Sequence, residues 1–207
     1  MMPTSAGLMG SAMDEEAARA ELYGLLALLY YAPPAAKTIA ELMVAVTEAP
    51  ARGAYLEEPW RVLVGQARSL SQLDIQSEYN TLFGGVGKPQ VYLYGSHFLS
   101  GFLNEKPLAK LRTDLADLGL ERDDSMAETE DHIAYLCEVM RFLIAGDDVT
   151  VSNLTRQHDF FAAHLHPWVG RMCDDIEKQP QARFYASLAA LTRAFLSIEA
   201  QSFDMLA

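Results

Sequence analysis

Leucines at 22, 25, 26 and 29 fall at i, i+3, i+4 and i+7. That spacing lays one apolar stripe along an α-helix. It predicts a first helix over 14–30, stopped by Pro33-Pro34, since proline lacks a backbone N–H and holds the residue before it out of the helical region. The same period predicts helices over 37–48 (Ile39, Leu42, Met43 and Val46 inward), 59–70 (Trp60, Leu63, Val64, Ala67, Leu70) and 73–83 (Ile75, Tyr79, Leu82, Phe83). It resumes over 108–118, closed by Gly119. Ser125-Met126-Ala127-Glu128 fits a capping box that opens a helix to about Ala145. That helix carries two apolar stripes, Ile133, Leu136, Met140, Leu143 and Tyr135, Val139, Phe142, which predicts a central helix covered on all sides. Three more helices are predicted over 151–164, 167–178 and 183–202, the last with Phe184, Leu188, Leu191, Phe195 and Ile198 on one face.

No strand-like alternation of useful length and no internal repeat interrupts this pattern. The expected fold class is all-α: a single globular helical domain of about eight or nine helices over 13–207, behind a flexible tail at 1–12. Between 84 and 107 the helical period fails. Gly84-Gly85-Val86-Gly87-Lys88-Pro89 cannot continue a helix, and Tyr92, Tyr94, His97, Phe98 and Phe102 follow without period. This is the longest predicted loop, and long loops in compact domains are usually functional. It is also a candidate hinge for exchanging helices between two chains, so either a monomer or a domain-swapped dimer is compatible with it.

Composition narrows the function classes. The chain has 207 residues, half of them apolar, which rules out disorder and low-complexity classes. No uninterrupted apolar run approaches the ~18 residues of a membrane span. A net charge of −12 argues against nucleic acid as a partner and points to a basic one. The start lacks the basic region and the apolar block of a secretory signal, so a cytoplasmic protein is expected. Cys137 and Cys173 are too few for a disulfide framework and read as reduced core residues.

Three constellations could carry chemistry: Glu78-Tyr79-x-x-Leu82-Phe83-Gly84 with Pro89, Tyr92 and Tyr94-Gly95-Ser96 after it; Glu130-Asp131-His132-Ile133 with Leu136, Val139 and Met140; and His164-x-His166-Pro167-Trp168. In this order and spacing, over about residues 75–170, they resemble the TorD/DmsD/NarJ family of maturation chaperones for molybdenum-dependent redox enzymes. Two departures stand out: Leu93 directly precedes Tyr94 where family members usually carry proline, and Tyr94 stands where some carry Trp.

The resemblance implies a non-enzymatic cytoplasmic chaperone. It would bind the twin-arginine signal peptide and the body of an apo-molybdoenzyme, and hold it until molybdopterin is inserted and before export. By that resemblance Leu82, Phe83, Gly84, Pro89, Tyr92, Tyr94, Gly95 and Ser96 form the peptide-binding region, with Asp131 and His132 beside it; no cofactor or metal is a permanent constituent. The chemistry is compatible, because an arginine pair followed by an apolar stretch needs carboxylates and an apolar groove. Residues 121–148 hold nine acids against Arg122 and Arg141. Asp131 is the expected partner of a peptide arginine, with Tyr92, Tyr94 and Phe83 lining an apolar groove near 79–103.

Two other readings compete. His132, His158-Asp159 and Asp174 or Asp175 follow the order of ligands in HD-type metal-dependent phosphohydrolases. A branch of the family similar to NarJ instead serves membrane-anchored respiratory enzymes. Gly84-Gly85-Val86-Gly87-Lys88 is no phosphate loop, since Pro89 follows the lysine and no strand precedes it.

Overall fold

The computed structural model describes residues 5–47, 55–84, 88–123 and 126–205, and the side chains from residue 15 onward. Ten helices follow in order: α1 (Ser5–Tyr31), α2 (Ala36–Val44), α3 (Glu57–Ser69), α4 (Gln72–Leu82), α5 (Gly95–Ser100), α6 (Lys106–Asp117), α7 (Ile133–Ala145), α8 (Leu154–His164), α9 (Val169–Glu177) and α10 (Phe184–Asp204). The only strand-like pairing among the described residues is one antiparallel bridge, Tyr94 to His132. The chain is therefore all-α, with one short helix, α5, inside the stretch read as a loop. Helix α1 extends back to Ser5, through most of the expected tail; residues 1–4 lie outside the described residues.

Helix α1 packs most extensively on α7, and α10 packs on α9, α3 and α4. The stripes that meet are those the period predicts. Leu26 and Leu29 of α1, Leu136, Met140 and Leu143 of α7, and Leu188, Leu191 and Phe195 of α10 are buried. Both free cysteines are buried, and loss of solvent pushes both thiols up. Two expectations for α2 fail: Met43 and Val46 are exposed, because the helix ends at Val44 and it is Thr38, Ile39 and Leu42 that turn inward. The Arg68 guanidinium caps that end through the Met43 and Ala45 carbonyls, at 2.8 and 2.9 Å.

Helix ends are held largely by distant side chains. Glu78 on α4 accepts from the backbone N–H groups of Arg183, Phe184 and Tyr185 (2.9, 3.2 and 2.7 Å), which caps α10. The neighbouring Tyr79 donates its hydroxyl to the Tyr30 and Tyr31 carbonyls at the end of α1. The first constellation is thus in part a structural clamp. Helix α6 ends in a Schellman turn: Gly119 is left-handed at φ +72°, Leu120 N–H reaches the Leu115 carbonyl and Gly119 N–H that of Ala116. The capping box lies at Ser71 and Asp74 of α4. Helix α7 begins at Ile133, not near 125, because His132 caps it, its Nδ1 accepting from Ala134 N–H at 3.2 Å. Ser125 of the expected box lies outside the described residues.

Candidate functional site

Residues 91–94 run alongside the start of α7 and lead into α5. Ile133 N–H donates to the Leu93 carbonyl (2.8 Å) and Gly95 N–H to that of Asp131 (2.9 Å). Val91 and Leu93 are buried, so Tyr92 and Tyr94 turn toward the surface. Tyr92 stacks on His97 of α5 at 4.1 Å between ring centres. Tyr94 stands edge-on to His132 at 5.1 Å and donates its hydroxyl to Glu128. Tyr31 and Tyr135 complete an aromatic patch around His132, at 6.5 and 6.0 Å.

Three blocks meet at Gly95. A Cβ there would lie 3.1 Å from Nε1 of Trp168, so glycine is what lets the segment approach the indole. Trp168 is buried, stacks on Phe98 and donates to the His164 carbonyl at 2.6 Å. Asp131 fixes the segment from the other side. Its Oδ2 accepts from Ser96 N–H (2.8 Å) and its Oδ1 from the Thr129 hydroxyl (2.6 Å), in a position 3% exposed. Ser96 is buried too, its Oγ accepting from Asn104 N–H.

The structure therefore brings Tyr92, Tyr94, Gly95, Ser96, Asp131 and His132 together. It changes the expectation for Asp131: both oxygens are engaged internally and the group is buried, so it positions the 94–96 segment and offers no face to an arginine. The half-buried acid beside it is Glu128, which the sequence reading assigned to a helix cap. Leu82 is core, its carbonyl accepting from Gln90 and Val91 N–H; Phe83 packs among Tyr30, Tyr79 and Tyr185. Gly84 closes α4 against Asn80, Pro89 is half-buried in the link that follows, and residues 85–87 lie outside the described residues.

Two features escaped the sequence. The second stripe of α7 is not covered by another helix: Tyr135, Val139 and Phe142 face Leu115, Leu120 and Met126 across an open groove of about 250 Å³. This apolar groove lies outside the 79–103 stretch in which one was expected. The acidic run is also more divided than its count implies, since Glu130 pairs with Arg112 (2.9 Å) and Glu138 with Arg141 (3.1 Å). The residues of the phosphohydrolase reading do not converge. His132 caps α7, His158 pairs with its neighbour Asp159, and Asp174 pairs with Arg193. No three His, Cys, Asp or Glu among the described residues stand close enough to share an ion.

Burial holds the His132 imidazole down at about 4, against the pull of Glu128 and Asp131 in the other direction. The folded value lies below the unfolded ~6.5, so the neutral ring contributes its full stability above about pH 6.5. That contribution, about 3 kcal/mol, is lost as the pH falls from 6.5 to 4. Asparagine keeps a cap acceptor without the titration. Urea unfolding across pH should therefore fall more steeply for wild type than for His132→Asn in that window; parallel curves would rule out a neutral, buried ring.

A protein-family model described as nitrate reductase delta subunit matches residues 49–174. The chaperone protein TorD of Vibrio parahaemolyticus is 25% identical over 142 residues, which cover 65% of this chain and 66% of that protein, just under two thirds of its length. The chaperone protein YcdY of Escherichia coli K12 is 25% identical over 173 residues, 84% of this chain and 89% of its own. Among solved structures, one described as a candidate redox enzyme maturation protein from Archaeoglobus fulgidus superposes with a TM-score of 0.54 at 18% identity, over 88% of this chain and 93% of that one; the likeness is one of fold. These proteins carry the names of chaperones and maturation proteins, not of catalysts.

Proposed function

The chain belongs to the nitrate reductase delta subunit family, and from that premise we propose that it is a cytoplasmic maturation chaperone for a molybdenum-dependent redox enzyme. It binds the twin-arginine signal peptide of the apoenzyme and holds the client until molybdopterin is inserted and before export, with no metal or cofactor of its own. The observation that carries this reading is the half-buried Glu128 carboxylate, which accepts from Tyr94, one of the rings around His132. A guanidinium suits such a place twice over, pairing with the carboxylate and lying against tyrosine faces. Asp131 and His132 serve the site indirectly, by fixing the segment that presents Tyr94. The chain's net charge of −12 favours approach of a basic segment.

The test is calorimetric titration with the twin-arginine signal peptides of the host's molybdoenzymes, each beside a Lys-Lys control, at two salt concentrations. Binding to one peptide, weakened by Lys-Lys and by salt, is expected; no binding to any would remove the reading. Two variants separate the carboxylates. Losing one charged hydrogen bond in Glu128→Gln should weaken binding about 10- to 100-fold. Asp131→Asn should bind like wild type, because an amide can accept from Ser96 N–H and donate to Thr129. The reverse ranking would return the arginine to Asp131.

A further inference from the structure

His164 and Trp168 are buried, while His166 and Pro167 between them are exposed. His164 ends α8, where backbone carbonyls no longer find a helical donor. Its own carbonyl accepts from the Trp168 indole N–H at 2.6 Å. Its ring reaches the other way, to α6, where Nε2 stands 2.6 Å from Oδ2 of Asp114. Against burial, hydrogen bonds from Lys110 and His164 hold the Asp114 carboxyl below its ordinary range. The group is therefore ionised at neutral pH and can only accept, so Nε2 carries the proton and donates. Around this bond α6 and α8 face each other across a cleft of about 230 Å³, with Asp117 and Arg156 at its sides. The Asp114–His164 pair is the side-chain hydrogen bond that ties the two helices.

Trp168 carries the tie onward. Its ring stacks on Phe98 of α5, 5.4 Å between centres and 18° between planes, and lies against Gly95 with no room for a Cβ. Helix α5 in turn packs on α6. Asp114, His164, Trp168 and α5 thus close a ring of contacts that returns to α6. The 94–96 segment is gripped at its edge. Asp131 takes the Gly95 N–H with its carbonyl and the Ser96 N–H with its carboxylate, while the indole supports the opposite side. A shift of the indole would move Gly95, and with it the neighbouring Tyr94.

We propose that His164 is a positioning residue of the recognition site: paired with Asp114, it fixes the Trp168 indole and through it the 94–96 segment that presents Tyr94. This rests on the reading of that segment as part of a signal-peptide site. Three variants test it. His164→Leu keeps an apolar filler and removes the donor. Asp114→Ala breaks the same bond from a half-buried position, without altering a core side chain. His164→Gln offers an amide N–H in place of Nε2–H and should restore the bond. Hydrogen exchange is followed by NMR with no peptide present. In His164→Leu and Asp114→Ala the Trp168 indole N–H and the Gly95 and Ser96 amides should exchange about tenfold faster than in wild type. The Phe184 and Tyr185 amides, held by Glu78, should keep their rates, and His164→Gln should behave like wild type throughout. A merely structural role would speed all of these groups alike. That result, or wild-type exchange at Gly95 and Ser96 in both variants, overturns the assignment. In a second arm, the twin-arginine peptide that wild type binds is titrated into the same variants by fluorescence anisotropy. Affinity should fall about tenfold in His164→Leu and Asp114→Ala and recover in His164→Gln. Faster exchange with undiminished affinity would also overturn the assignment, since the position of the segment would then not govern recognition. If wild type binds no peptide, the chaperone reading fails, and the exchange arm alone decides whether His164 holds the segment.

Discussion

Replacing Glu199 with alanine is expected to cost the fold about 4 kcal/mol, because it breaks a buried ion pair and strands what remains. Glu199 lies on α10 and is 1% exposed. It accepts from Arg19 Nε at 2.7 Å and Nη2 at 2.8 Å, and from the Tyr23 hydroxyl at 3.0 Å. Arg19 also reaches Gln157 of α8, which in turn donates to the Leu143 carbonyl of α7. One carboxylate thus ties α1, α7, α8 and α10. In the alanine variant the guanidinium and a wholly buried hydroxyl lose their partner, and the melting temperature of a chain this size should drop by roughly 12 °C. Glu199→Gln, which keeps an acceptor, should fall between. Arg19→Met with Glu199→Leu should recover most of the loss, since an apolar pair of similar volume needs no compensation. Scanning calorimetry distinguishes these cases. A loss under about 1 kcal/mol in Glu199→Ala would mean that water replaces the carboxylate without penalty.

The fold was legible wherever one helix buries one face. The stripes of α3, α4 and α10 are those the period predicts, with Leu63, Val64, Ala67, Ile75, Leu82, Leu188 and Leu191 buried. The sequence misled where a helix end or a partner is decided at long range. Helix α5 is six residues long and its first turn is held by Asp131, 35 positions away. The box at 125–128 reads as a helix start, but Met126 lines a groove and Glu128 turns to Tyr94. Periodicity likewise shows that α7 has two apolar faces and cannot tell whether anything covers the second.

For the site, the motif resemblance located Tyr94, Gly95, Ser96, Asp131 and His132, and the structure brings them together. What it could not convey is depth. An aspartate in an acidic run looks like a surface charge, and only the fold turns Asp131 inward while leaving Glu128 half-buried. The two differ by three positions in sequence and by their whole role in space.

Glu78 extends the same distinction to the first motif block. Glu78→Ala should destabilise the chain by about 3 kcal/mol, since three backbone N–H groups at the start of α10 lose their acceptor and the positive helix end loses its counter-charge. No side chain at the N-cap of α10 substitutes, because Arg183 makes no cap bond. Glu78→Gln should cost less, about 1 kcal/mol, because its carbonyl oxygen can still accept from Arg183 and Tyr185, which share one oxygen in wild type. The loss should appear in the melting temperature, roughly 9 °C for the alanine variant. It should also appear as faster amide exchange in the first turn of α10. Signal-peptide affinity, measured in the cold where the variant stays folded, should hold. Glu78 is 7% exposed, and its carboxylate points at α10 rather than at the tyrosine patch. The opposite result, a stable variant that no longer binds peptide, would make Glu78 part of the recognition surface. The predicted result makes the Glu-Tyr pair that opens the motif a clamp: Glu78 holds the start of α10, Tyr79 holds the end of α1, and recognition is left to the residues that follow.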